Sequence, residues 1–167
     1  ITTTGCSPLY MACQQNHPSI VEFLLQQPNI NVNQSKKNGV TPLSNACQAG
    51  FVDVVRLLLG ATNIDINQED EDILTPLNIA CDEGKIEIVK LLLEQPNIDL
   101  NKKDKWNDSP LSTATKEKHT EIVQLLKDAG ATFTIKDAAA SNDITYVQEW
   151  ITNDKEKDRN EINESFY

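Results

Sequence analysis

Residues 75–81 read TPLNIAC, and related heptapeptides read SPLYMAC from residue 7, TPLSNAC from residue 41 and SPLSTAT from residue 109. Their starting positions lie 34 residues apart each time. Self-similarity at a fixed period of this size is typical of stacked-repeat proteins, in which every repeat is one small supersecondary unit. This stretch therefore decides the fold, and we expect one continuous repeat stack.

Each heptapeptide begins with residues that favour a helix start. A Ser or Thr hydroxyl can accept a hydrogen bond from an unpaired backbone N–H, and proline suits the first helical position because its missing N–H costs nothing there. A left-handed turn is then expected at Asn16, Gly50 and Gly84, whereas Lys118 departs from this pattern at the fourth turn. A second, strongly apolar helix follows each turn, as in residues 20–25 (IVEFLL), and it needs neighbours on two sides.

Composition and charge narrow the classes of function. The chain has 167 residues, of which 39% are hydrophobic and 5% aromatic, and its formal net charge is −10. Phosphate binding needs clustered Lys and Arg, so we expect no nucleic-acid partner, and we expect no membrane partner because no long apolar run is present. Glycine-rich phosphate loops, HExxH and paired CxxC motifs are missing from the sequence. We therefore predict a protein that is not an enzyme and has no cofactor or metal site.

Three of the four cysteines, Cys13, Cys47 and Cys81, occupy the same place in successive repeats. Equivalent positions in stacked helices lie roughly 10 Å apart, which exceeds the ~7 Å Cα separation that a disulfide tolerates. The same separation prevents shared ligation of one zinc ion. We predict that these thiols act as small buried apolar groups in a reduced, intracellular and cytoplasmic protein.

Polar stretches separate the helix pairs, and each has a turn signal near its tip, as in residues 29–40 (NINVNQSKKNGV). A projecting finger is expected there. The order of finger, TPL, AxxxG, IVxLLL and DxN resembles the ankyrin repeat. The residues that carry the resemblance include Thr41, Pro42, Leu43, Ala46, Gly50, Val55, Leu58 and Asn67. It covers residues 5 to about 151 and implies an all-α repeat solenoid of stacked helix-turn-helix repeats with projecting β-hairpin fingers.

The expected ankyrin repeat domain spans residues 1–154. Its repeats cover about 5–38, 39–72, 73–106 and 107–132, followed by a shortened capping repeat at 133–154 and a charged tail at 155–167. In the capping repeat we align Phe133 with Thr75, and Glu149 falls where the other repeats have an apolar residue. We interpret that position as facing the next repeat, so that a glutamate there ends the array with a polar face. Further repeats ahead of Ile1 are also expected, because the first repeat has no cap of its own.

The sequence departs from the family pattern at two kinds of position. The histidine that usually follows TPL is replaced in all four repeats, so its hydrogen bond is either remade by shorter groups or lost. The replacements are Tyr10, Ser44, Asn78 and Ser112. The finger glycine found at Gly39 becomes Ile73 and Asn107, and a different turn is predicted at those two tips.

The resemblance implies a concave binding groove formed by the finger tips and the exposed face of each first helix. The candidate tip residues are Lys37, Asn38, Val40, Glu71, Asp72, Leu74, Lys105, Trp106 and Asp108. The candidate helix residues are Gln14, Gln15, Gln48, Asp82, Glu83, Lys116 and Glu117. Trp106 is the strongest candidate, since a tryptophan at a tip is either packed down as an anchor or held out as a binding hot spot. The sequence leaves both alternatives open.

We therefore expect a non-enzymatic, monomeric interaction module. Its partner would be a protein or peptide with a basic or mixed-charge segment facing the acidic tip at Glu69 to Asp72. One alternative is a targeting domain of a larger enzyme, channel or secreted effector whose activity lies outside this chain. Another, implied by the resemblance alone, is that Asn33, Asn67 and Asn101 are substrates of an asparagine hydroxylase.

Overall fold

The computed structural model describes residues 6–153, which form ten helices in five successive pairs. The first helices are α1 (Pro8–Gln14), α3 (Pro42–Ala49), α5 (Pro76–Asp82), α7 (Pro110–Lys116) and α9 (Ile135–Ala140). The second helices are α2 (Pro18–Leu25), α4 (Val52–Leu59), α6 (Ile86–Leu93), α8 (Thr120–Asp128) and α10 (Ile144–Asn153). Helices of adjacent pairs pack against one another along the array, which confirms the predicted helical solenoid. The predicted tail at 155–167 lies outside the described residues.

The first four pairs start with the predicted capping chemistry. Proline occupies the first turn of each first helix, and the hydroxyl before it accepts a hydrogen bond from the backbone N–H three residues on. At Thr41 this bond from the Ser44 N–H measures 3.0 Å. Such a cap typically stabilises a helix by about 1 kcal/mol. The repeated Ser-Pro and Thr-Pro pairs therefore fix where each unit begins.

In the second, third and fourth repeats, the smaller side chain that replaces the histidine hydrogen-bonds to the residue that caps the helix. The hydroxyls of Thr41 and Ser44 lie 2.9 Å apart and bond to each other. In the next repeat the Thr75 hydroxyl donates to Asn78 Oδ1 at 2.6 Å, and the Asn78 amide donates to the Lys102 carbonyl at 3.3 Å. Asn78 thus links the start of its own helix to the following finger.

The inter-helix turns have one geometry in all five pairs. The residue at the turn has a positive φ in each case, namely Asn16, Gly50, Gly84, Lys118 and Asn142. Lys118 has a φ of 62°, close to the value of 65° at Gly84. Lys118 therefore makes the same turn as the other repeats, because packing of the flanking helices imposes the turn on a residue that does not favour it.

The finger tips also share one geometry, contrary to the prediction of a different turn at two of them. Gly39, Ile73 and Asn107 have φ values of 79°, 60° and 65°. A left-handed conformation costs a non-glycine residue roughly 1–2 kcal/mol, and a β-branched residue is an outlier there. At Ile73 the turn is held by the Asp70 carboxylate, which accepts hydrogen bonds from the N–H groups of Asp72 and Leu74.

The fingers are tight turns, and β-hairpin pairing is not confirmed, since residues 6–153 contain no strand. Each tip is closed by a backbone hydrogen bond between residues four apart. The pairs are Lys36–Val40 at 3.0 Å, Asp70–Leu74 at 3.2 Å and Asp104–Asp108 at 3.0 Å. Adjacent tips are joined by bonds from the Glu71 N–H to the Asn38 carbonyl and from the Lys105 N–H to the Asp72 carbonyl. The tips therefore form one continuous row.

The last repeat starts one residue later than the alignment of Phe133 with Thr75 predicted. Thr134 is the N-cap of α9, and Asp137 returns the bond by accepting from the Thr134 N–H at 2.8 Å. Asp137 is buried and also accepts from the Ser112 hydroxyl. This reciprocal cap outweighs the periodic spacing and sets the helix start.

One predicted direction of packing is wrong. Phe23 is 63% exposed although α3 and α4 follow it, whereas its equivalent Leu91, which has a helix pair on both sides, is buried. The position therefore faces the preceding repeat, not the next one. Glu149 occupies this position in the last repeat, and its side chain lies outside the described part of the structure. Ile151, near the end of α10, is exposed.

The core is aliphatic, as predicted. Leu9, Leu43, Leu77 and Leu111 are fully buried at equivalent places in the first four pairs. Cys13, Cys47 and Cys81 lie among them, also buried. Burial raises the pKa of the Cys13 thiol to about 12 and raises the pKa values of the other two further. These thiols are therefore protonated, apolar space-fillers at neutral pH.

Candidate interaction surface

Trp106 is held out from the fold at the tip of its finger. Its side chain is 57% exposed, which excludes the alternative of an anchor packed into the core. The Trp106 N–H donates to the Asp104 carboxylate at 2.9 Å, and Lys105 Nζ lies 4.4 Å from the centre of the indole ring. The backbone turn and the neighbouring cation thus fix a large aromatic surface in contact with solvent.

Asp108 does not belong to the exposed surface. It is 7% exposed and forms ion pairs with Lys116 and with Lys136, the latter at 2.9 Å. Burial by itself would raise the pKa of Asp108, but the two lysine hydrogen bonds outweigh it and hold the pKa below its usual value. Asp108 therefore ties its finger to α7 through Lys116 and to α9 through Lys136, and unlike the exposed Lys116 it is buried.

The predicted acidic tip is largely neutralised within the protein. Glu69 pairs with Lys102 at 2.7 Å, and Asp72 pairs with Lys105 of the next finger. Asp70 uses its carboxylate to close its own turn. Of the four carboxylates, only Glu71 has no hydrogen bond or ion pair to its carboxylate within residues 6–153.

Three other carboxylates form a cluster that is not neutralised. Asp82 and Glu83 end α5, and Glu117 is the C-cap of α7, so all three lie at helix ends whose free carbonyls are already partly negative. We call Asp82, Glu83 and Glu117 the acidic cluster. All three are exposed, and none forms an ion pair among the described residues. Asp82 is exposed as a whole residue, but partial burial of its carboxylate raises its pKa, and Glu117, Glu83 and Asp104 raise it further against the opposing effect of His119.

A family model described as ankyrin repeats (3 copies) matches residues 1–70 and 62–137, which is most of the chain. The chain belongs to the ankyrin-repeat family. A comparison with curated proteins found no match. Membership makes this ankyrin array a protein-interaction module, and the family does not supply a catalytic site. No helix among residues 6–153 is long and apolar enough to cross a membrane.

The asparagines that end each ankyrin repeat bridge to the next repeat. Asn33 donates to the Asn63 carbonyl at 2.7 Å and accepts from the Asp65 N–H at 2.9 Å. Asn67 makes the same two bonds to residues 97 and 99, at 2.7 and 3.0 Å. We call these bonds the asparagine ladder. They align successive fingers.

The other candidate residues are exposed or half-buried along the same surface of the ankyrin array. The exposed ones are Gln14, Gln15, Lys37, Asn38 and Gln48, while Val40 and Leu74 are half-buried. Sequence reasoning missed Ile73, an exposed apolar residue beside the acidic tip. Its signal was that it replaces the tip glycine found at Gly39. Nowhere in the described part of the chain do three or more His, Cys, Asp or Glu side chains group to hold a metal ion.

Proposed function

We propose that this ankyrin array binds a protein or peptide segment of basic or mixed charge along its finger tips and the C-terminal ends of its first helices. It does so as a non-enzymatic, monomeric module inside the cell. The contacts we assign to the partner are the exposed ring of Trp106, the free carboxylate of Glu71 and the acidic cluster.

The observation that carries this proposal is the difference between two sets of carboxylates. Glu69, Asp72 and Asp108 are each neutralised by a lysine of this chain. The acidic cluster has no such partner, and burial together with repulsion from its neighbours raises the pKa of Asp82. Like charges held together at helix ends destabilise the free protein, so a basic partner would gain the interaction that the fold does not supply.

Trp106 supplies the apolar part of the same surface. The carboxylate at the base of its finger, Asp104, is close enough to Asp82 to raise the pKa of that group. The ring and the acidic cluster therefore belong to one region of the surface. Exposed tryptophans fixed in position are frequent hot spots, and truncating one typically costs about 2 kcal/mol or more of binding energy.

The first test concerns Trp106. A partner is recovered by affinity capture, and its dissociation constant is measured with the 167-residue chain as wild type, as Trp106→Ala and as Phe23→Ala. Phe23 is a similarly exposed aromatic residue at the far end of the array, so it controls for general loss of apolar surface. We expect about 30-fold weaker binding for Trp106→Ala and no change for the control. Equal affinity of the two variants would exclude Trp106 from the interface.

The second test concerns charge. The single changes Asp82→Asn and Glu83→Gln each remove one negative charge from the acidic cluster and keep the size of the side chain. Each should slow association and reduce its dependence on salt, because surface charges act mainly on the association rate. Glu22→Gln, at an exposed carboxylate on α2, is the control. An association rate that responds to Glu22 as strongly as to Asp82 would indicate nonspecific attraction by net charge.

A further inference from the structure

The first helix pair exposes apolar side chains at positions that are buried or half-buried in the next three pairs. Ile20 is 49% exposed on α2, whereas its equivalents are fully or almost fully buried. Those equivalents are Val54, Ile88 and Ile122. Phe23 and Leu24 follow the same rule, since Leu24 is half-buried and its equivalents are fully buried.

The same contrast occurs on α1. Met11 is 43% exposed, whereas its equivalent Ile79 is 8% exposed and the other two equivalents are half-buried. What distinguishes the later pairs is a helix pair packed ahead of them. Met11, Ile20, Phe23 and Leu24 therefore make up the surface by which a pair contacts its predecessor. We call these four residues the leading face.

The backbone groups that hydrogen-bond to the preceding repeat also lack partners at the first repeat, within the described residues. In later repeats the carbonyl of residue 63 or 97 and the N–H of residue 65 or 99 are bonded by an asparagine of the preceding repeat. The equivalent groups in the first repeat are the Asn29 carbonyl and the Asn31 N–H. Neither has a hydrogen-bond partner within residues 6–153. Among the described residues, the first repeat thus lacks both the apolar and the polar contacts that a preceding ankyrin repeat would supply.

We propose that the leading face is an inter-repeat interface, occupied by a further ankyrin-type helix pair that precedes Ile1 in the same polypeptide. Its asparagine bonds to Asn29 and Asn31 as Asn33 bonds to residues 63 and 65. The 34-residue period places that asparagine two residues ahead of Ile1. The interface continues the one that already joins the four later pairs to their predecessors.

Amide hydrogen exchange tests this on two proteins, the 167-residue chain and the protein produced from the complete reading frame. In a repeat stack, each added neighbour stabilises the unit it contacts. We expect exchange in α1 and α2 to be at least about tenfold slower in the complete protein. We also expect a codon for asparagine two residues ahead of Ile1.

Two variants make the test specific. Phe23→Asp should speed exchange of α1 and α2 in the complete protein and leave the 167-residue chain unchanged, because Phe23 is solvent-exposed there. Ser19→Asp is the matched control, since its equivalents Asp53, Glu87 and Glu121 are all exposed acids. It should have no effect in either protein.

Three results would overturn the proposal. The first is a reading frame without a preceding helix pair, and the second is equal exchange of α1 and α2 in the two proteins. The third is sedimentation of the 167-residue chain as a dimer that Phe23→Asp dissociates, since the occupant would then be a second copy.

Discussion

Replacing Asn67 by alanine removes two hydrogen bonds of the asparagine ladder while leaving the helices intact. The lost bonds are those to the Asn97 carbonyl at 2.7 Å and from the Asp99 N–H at 3.0 Å. A typical hydrogen bond contributes a net ~0.5–1.5 kcal/mol, so two of them predict a loss of about 2 kcal/mol in the free energy of unfolding.

Asn101 is the control that the chain itself provides. Because the last repeat is shortened, Asn101 makes a single bond of this kind, from the Thr132 N–H at 2.8 Å. Asn101→Ala should therefore cost about 1 kcal/mol, and Asn33→Ala, which removes two bonds, should cost about as much as Asn67→Ala.

Urea unfolding followed by far-UV circular dichroism measures these differences. The slope of unfolding free energy against urea should be unchanged, since no variant alters the surface buried by the core. Two results would contradict this role of the asparagine ladder: Asn101→Ala costing as much as Asn67→Ala, or Asn33→Ala and Asn67→Ala each costing under about 0.5 kcal/mol. Either outcome would mean that apolar stacking alone aligns the repeats.

Further predictions concern one glycine and two carboxylates. Gly39→Ala should destabilise more than Gly130→Ala by urea unfolding, because both have positive φ but only the Gly39 Cβ would meet backbone, at 2.8 Å from Asp70 Cα. Asp108→Asn should cost about 1.5 kcal/mol at pH 7. Folding lowers the pKa of Asp108, so the stability difference between wild type and Asp108→Asn should be complete well above the unfolded pKa of 3.8. The difference should disappear as the pH falls below 3.8 and through the folded pKa. Asp82→Asn should have the opposite effect on stability. Folding raises the pKa of Asp82, so removing its charge should increase the free energy of unfolding at pH 7, and this increase should vanish in acid, where Asp82 is protonated. Equal pH profiles of the two variants would contradict both assignments.

The repeated motif predicted helix starts well because capping is local. Thr41 and Pro42 are adjacent and together favour a helix start, and the Thr41 hydroxyl needs only a backbone N–H in the first turn of the same helix as its partner. The turns at Lys118 and Ile73 could not be predicted in this way. There the stacked neighbours impose a left-handed backbone that the residue itself does not favour.

The candidate site was less predictable because its charges are paired across repeats. Lys136 belongs to the shortened last repeat, and no spacing rule places it beside Asp108. The apolar pattern also could not predict which repeat covers the position of Phe23. A helix with neighbours on both sides needs an apolar residue at such a position whichever neighbour contacts it. The exposure of Trp106 stayed open for a related reason, because a side chain at a tip can either fold back onto the array or extend into solvent.

The most direct test of the proposed binding surface is a hydrogen-exchange footprint of the array with its captured partner. We predict slower exchange at the tips 36–40, 70–74 and 104–108 and at the C-terminal ends of α5 and α7, with α4 and α6 unchanged. Protection confined to α4 and α6, with the three tips exchanging as in the free protein, would contradict the account.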